Sequence, residues 1–223
     1  MIMPKSNFRS SRTYQIIYEI LNSVTHGLGA LVAVSAATLM LVLAVITKQS
    51  PLTITALSIY AASIIIFLLA STLFHALIFT RAVKIFQFLD HSGIYLVILG
   101  SYTPYTWLFM PKVVGWTIWG IIAFLSVAGI IYDLRFLGRW PWLSTGIYLI
   151  MGWLIVMAFP QLHQTLTPFA FNTLLAGGVT YSLGAMVYLF PKIPMGHVFW
   201  HLFVLGGATL MYISLFSMLF IGH

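Results

Sequence analysis

The chain has 223 residues, 61% of them hydrophobic and 6% charged, with ten Lys and Arg against three Asp and Glu and no Cys. Such sparse charge and such long apolar stretches exclude an ordinary soluble domain or a disordered chain, and point to an all-α polytopic membrane protein. The net charge of +7 comes from bases set mostly singly between apolar runs; there they anchor helix ends to lipid headgroups, so no nucleic-acid partner is expected.

A hydrocarbon core roughly 30 Å thick takes about 20 apolar residues per helix. Seven runs meet that requirement, 21–46, 53–79, 86–109, 114–132, 142–160, 169–190 and 197–221. They consume most of the chain, so 1–223 reads as one seven-helix membrane domain whose short connections carry Pro51, Pro111, Pro141, Pro168, Pro191 and Pro194 as breakers. The residues ahead of the first run show no small-residue cleavage pattern, and the first helix is expected to stay in the protein.

Taken in order, the first run has Glu19, Asn22 and His26 around its start. Glu19 is expected to belong to an amphipathic approach to the membrane, with a supporting contact to a buried site as the alternative. The second run closes on Ser71 and His75, four residues apart and so on one helix face, and the third opens on Asp90. His91, one residue further, points about 100° away and is expected to contact the bundle or the headgroups. Asp133 lies just past the fourth run, at its inner end, where an ion pair with Arg135 is expected. Gly100, Pro104, Gly177–Gly178 and Gly206–Gly207 read as sites of close packing or kinking. His163 and His223 fall where solvent exposure is expected. The seventh run opens on His197 and His201, another pair one turn apart.

Orientation follows from the bases. Lys5, Arg9, Arg12, Arg81, Lys84, Arg135, Arg139 and Lys192 lie on the N-terminal side of seven spans, and only Lys48 and Lys112 lie opposite. The N-terminus is therefore expected in the cytoplasm and the C-terminus outside. This places His75, Asp90, His197 and His201 in one leaflet, whereas a span count wrong by one would have separated His75 from the later pair.

Ionisable groups inside a membrane are costly unless paired, and their default reading is functional. Without Cys, a metal here must use His, carboxylate or water. Three imidazoles, His75, His197 and His201, with one water complete a tetrahedral Zn2+ shell with an open position. Asp90 is placed to partner that water and accept its proton. Ser71 can hydrogen-bond the water or a developing oxyanion, or instead bond the carbonyl four residues back in its own helix.

These residues also carry a resemblance. E-I-L-N-S-V-T-H-G at 19–27, S-T-L-F-H at 71–75, F-L-D-H-S-G-I at 88–94 leading into G-S-Y-T-P-Y at 100–105, and G-H-V-F-W-H at 196–201 resemble, in that order, the bacterial hemolysin III proteins. These sit within the broader progestin and adipoQ receptor family. The resemblance implies an N-inside, C-outside bundle in the bacterial plasma membrane, with zinc on His75, His197 and His201 and Asp90 holding the zinc-bound water. The alkaline ceramidases share a similar Ser, Asp and three-His pattern, which by analogy extends to lipid amide hydrolysis. Fold-level analogy does not establish activity.

Two function classes follow. One is a zinc-dependent intramembrane hydrolase acting on a lipid amide or ester. The other is a regulator of membrane and lipid homeostasis whose zinc ties the second, third and seventh spans together. The sequence favours a regulator with latent hydrolase chemistry, because it supplies metal and water but shows no pocket for a substrate headgroup. Membrane lipids are the expected partners, including a lipid or fatty-acyl substrate. A channel is weaker, since no span carries a periodic polar stripe, and a chain with seven spans does not look like a secreted pore former, so any cytolysis would be indirect.

Overall fold

A computed structural model describes residues 11–190 and 192–221, leaving Lys5, Arg9, Pro191 and His223 outside the described residues. Seven helical segments are long and apolar enough to cross a membrane. They are α1 (Arg12–Ile46), α2 (Pro51–Ala76), α3 (Val83–Leu108), α4 (Lys112–Phe136), a composite fifth span, α7 (Pro168–Leu189) and α8 (Gly196–Phe220). The fifth span joins α5 (Pro141–Trp153), a 3-10 segment (Leu154–Ala158) and α6 (Phe159–Thr165).

Local chemistry sets the helix starts. The side chains of Ser11, Ser50 and Thr167 accept hydrogen bonds from the backbone N–H of Tyr14, Thr53 and Ala170, satisfying donors that a helix N-terminus leaves free. Pro51, Pro141 and Pro168 each occupy a first helical position, where the missing N–H costs nothing. Two boundaries differ from the apolar runs. Helix α1 begins at Arg12 rather than 21, because a capped helix carries its polar first turns beyond the hydrocarbon-matched stretch. Helix α4 continues to Phe136, which brings Asp133 inside it.

The fifth span is not the continuous helix expected over 142–160. Pro160 has no N–H to offer the Val156 carbonyl and its ring crowds that carbonyl, so the α-helical ladder gives way one turn earlier. Tyr102 from α3 repairs the break. Its hydroxyl donates to the Met151 and Gly152 carbonyls (2.7 and 3.0 Å) and accepts from the Ile155 N–H at 2.7 Å. Backbone groups freed inside a membrane need such partners.

Helix α2 packs against both α1 and α3, α7 against α8, and α1 closes on α8, while the fifth span is held more loosely. At Gly100 a Cβ would overlap Ser63 on α2, and at Gly207 it would meet the Tyr181 ring of α7 at 2.8 Å, so glycine permits both approaches. Large apolar side chains such as Leu31, Val32, Phe124 and Ile150 are exposed around the outside, whereas His26, Ser71, His75, Asp90, Asp133 and His201 are buried. That inversion is what lipid as solvent demands.

Candidate metal centre

His75 sits in the last turn of α2, and His197 and His201 lie in the first two turns of α8. Their ring centroids form a compact triangle with sides of 5.0, 5.1 and 4.6 Å. One ligand atom from each lies within 4.8 Å of the other two, close enough for the three to hold a metal ion. Two zinc–nitrogen bonds of about 2.1 Å at a tetrahedral angle put their nitrogens roughly 3.4 Å apart, so capture of an ion asks the rings to draw together by about an ångström. Nε2 of His75 and Nε2 of His197 are buried and make no hydrogen bond. Buried nitrogens without partners are costly in a protein alone, and an ion between them removes the cost.

The opposite ring edges are already committed. Nδ1 of His75 is 2.6 Å from Oε2 of Glu19, and Nδ1 of His201 lies 3.2 Å from the Asn22 carbonyl and 3.1 Å from the Thr25 hydroxyl. With Nδ1–H donated to an oxygen, each ring presents the bare Nε2 lone pair that a metal requires. Glu19 is thus a supporting contact of the site, and the expectation of a mere membrane approach is corrected. Positions 19, 22 and 26 follow an i, i+3, i+7 spacing and share one helix face; starting the helix at 21 concealed that signal. His26 stacks on His201 with centroids 3.5 Å apart and 11° between planes. Both of its nitrogens, and both side-chain heteroatoms of Asn22, are buried without partners.

Asp90 stands on the facing helix, 7% exposed. Ser71 is within interaction reach of it, yet the Ser71 hydroxyl makes no well-formed hydrogen bond, and the bond to its own helix one turn back is not made. His91 gives Nδ1 to the Gln87 carbonyl at 2.9 Å and lies 3.5 Å from Asp90, so it is a bundle contact as expected. Asp133 does not behave as expected. It is 2% exposed and accepts from the Ser92 hydroxyl at 3.2 Å, and the described residues provide no ion pair with Arg135. Residues two apart on a helix point away from each other. His163 is exposed and meets the edge of Phe171 at 5.2 Å.

Two cavities meet at this centre. A vestibule is lined by His26, Asp90, Asp133, Tyr188, His197 and His201 and reaches the α4–α5 connection at Leu137 and Gly138. Behind it an apolar cavity runs between α3, the fifth span, α7 and α8, lined by Val97, Tyr105, Ile155, Leu174, Tyr181 and Val204. It encloses an empty volume of about 1030 Å³, counting its open mouth. Phe67, Ile94, Tyr148, Ala185 and Trp200 line both spaces, which therefore adjoin across these side chains.

The haemolysin-III related family profile matches residues 14–212. The chain belongs to the haemolysin-III related family. It is 41% identical over 195 residues to Hemolysin-3 of Bacillus cereus, covering 87% of this chain and 88% of that protein. It is 36% identical over 199 residues to the Hemolysin-3 homolog of Bacillus subtilis (strain 168), covering 89% and 93%. A more distant similarity, 25% over 174 residues, links it to the human monocyte to macrophage differentiation factor, covering 73% and 69%. Together with seven apolar spans, this makes it a multi-pass membrane protein.

Proposed function

We propose that this protein is a zinc-dependent intramembrane hydrolase that cleaves an amide or ester bond of a membrane lipid and thereby adjusts lipid homeostasis. The observation that carries the reading is that the apolar cavity adjoins the vestibule holding His197, His201 and Asp90, the two sharing five wall residues. An acyl chain lying in the first brings its carbonyl to the second. Sites for small molecules combine an apolar enclosure with a few convergent polar groups in this way. The vestibule offers room for a headgroup that the sequence did not reveal, which supports the enzyme over the regulator.

Zinc on His75, His197 and His201 would supply a Lewis acid for the carbonyl and a water acidified at the open position. Asp90 would accept a proton from the attacking water as the water oxygen bonds to the carbonyl carbon. The C–N or C–O bond then breaks, and Asp90 returns the proton to the leaving amine or alkoxide, giving a fatty acid and the deacylated lipid. Ser71, with its hydroxyl unpaired, is free to hydrogen-bond the Asp90 carboxylate. Glu19 fixes the His75 ring.

The test is release of fatty acid from amide- and ester-linked lipids in nanodiscs by the purified, metal-loaded chain. Release should stop on chelation, and Asp90→Asn should slow it by about 10²–10⁴, the usual contribution of a general base, with zinc content unchanged. No release by fully loaded wild-type protein would sink the reading. We further propose that the site lies in the cytoplasmic leaflet, since Arg12, Arg81, Lys84, Arg135, Arg139 and Lys192 flank the histidine-bearing end and only Lys48 and Lys112 the other. A reporter fused after His223 should then read out outside the cell; a cytoplasmic signal contradicts the orientation.

A further inference from the structure

Asp133 is not used by the chemistry above, yet it is a buried carboxylate in the wall of the vestibule. Its hydrogen bond comes from a neutral donor, Ser92, and no Lys or Arg among the described residues pairs with it. An anion removed from water without a counter-charge is strongly unfavourable. His91, the cationic candidate, is within electrostatic reach of both Asp133 and Asp90 and has its Nδ1 committed to the Gln87 carbonyl. The side of the vestibule away from the histidines therefore holds two buried carboxylates that, among the described residues, have no Lys or Arg as partner. Tyr148 adds apolar ring surface to the same wall and extends it into the acyl cavity.

We propose that this wall is a headgroup subsite for lipids that carry an ammonium group, with Asp133 as the counter-charge that selects them. The subsite rests on the hydrolase reading for its orientation, with the chain in the apolar cavity and the head towards α4. An ammonium group entering from the α4–α5 connection donates to the Asp133 carboxylate, and Ser92 holds that carboxylate in place. Neutral heads gain no such pairing. The selection is thus built into α4, apart from the histidines and from Asp90.

The probes are dodecylamine, charged at neutral pH, and N-acetyldodecylamine, its neutral counterpart, titrated calorimetrically into the full-length, zinc-loaded protein in detergent. Wild type should prefer the amine, and Asp133→Asn should weaken amine binding by about 10–100-fold, the scale of a hydrogen bond to a charged group, while leaving the acetylated probe unchanged. Should Asp133→Asn fail to fold, the wild-type preference for the amine over its acetylated counterpart itself decides. Equal binding of the two probes by wild type, or equal loss of both in Asp133→Asn, overturns the subsite. Amine preference without fatty-acid release keeps the subsite and removes the hydrolase; release with no preference does the reverse.

Discussion

The two walls of the vestibule are built on opposite plans. On the α1–α2–α8 side, His75 and His201 each have Nδ1 tied to an oxygen, Glu19 for one and the Asn22 carbonyl for the other, so the atoms facing the centre are fixed. On the α3–α4 side, Asp90 and Asp133 have Ser71, Ser92 and a partly buried His91 beside them, and among the described residues neither pairs with a Lys or Arg. A metal ion demands several ligands in fixed geometry at once, and helices packed tightly against one another supply it. In the proposed hydrolase a proton and a lipid head would arrive and leave each cycle, and a carboxylate already paired with Arg or Lys could serve neither. On the proposed reading the contrast separates an ion-holding wall from a reacting wall, and mutations on the two should fail differently.

The largest effect belongs to the first wall. His197→Ala combined with His201→Ala removes two of three imidazoles and should abolish metal binding, measured as zinc per chain by atomic emission on purified protein. Full occupancy in that double variant would mean the two are not ligands, and the division between walls would collapse. Asp90→Asn is the counterpart on the second wall: turnover lost, zinc retained. Loss of zinc in Asp90→Asn would instead place Asp90 among the ligands.

How much of this was legible beforehand depended on how local the cause was. Seven spans follow from composition alone, and the three histidines with Asp90 follow from one-turn spacing plus the parity of the span count, both short-range properties. Asp133 was misread although the signal was present: Arg135 is two residues on, which on a helix is the wrong side. Glu19 was misread because apolarity marks where a helix enters lipid, while Ser11 marks where it begins. The 3-10 break before Pro160 depends on Tyr102, some 50 residues away, reaching the exposed backbone. The paired cavities arise from the loose seating of the fifth span, a property of the assembled bundle that no stretch of sequence carries.

The subtlest expected effect sharpens the comparison most, because it touches the ion-holding wall without touching a ligand. Glu19→Gln keeps the size of the side chain and a hydrogen-bonding oxygen, but it deletes the charge that makes the 2.6 Å contact to His75 strong. The His75 ring then has less reason to present Nε2 inward, and that nitrogen is a weaker donor to the ion. Affinity for zinc, read by competition with a chelator of known strength, should fall by about 10–100-fold, as for other carboxylates that support a metal-bound histidine. Once saturated with zinc, the variant should release fatty acid at close to the wild-type rate, since Asp90 is untouched. The melting temperature of the metal-free protein distinguishes this from a packing role: an orienting carboxylate leaves it nearly unchanged, while a structural one lowers it. Wild-type affinity in Glu19→Gln would show that helix packing alone orients His75, and the first wall would then owe its rigidity to α2 and α8 without help from α1.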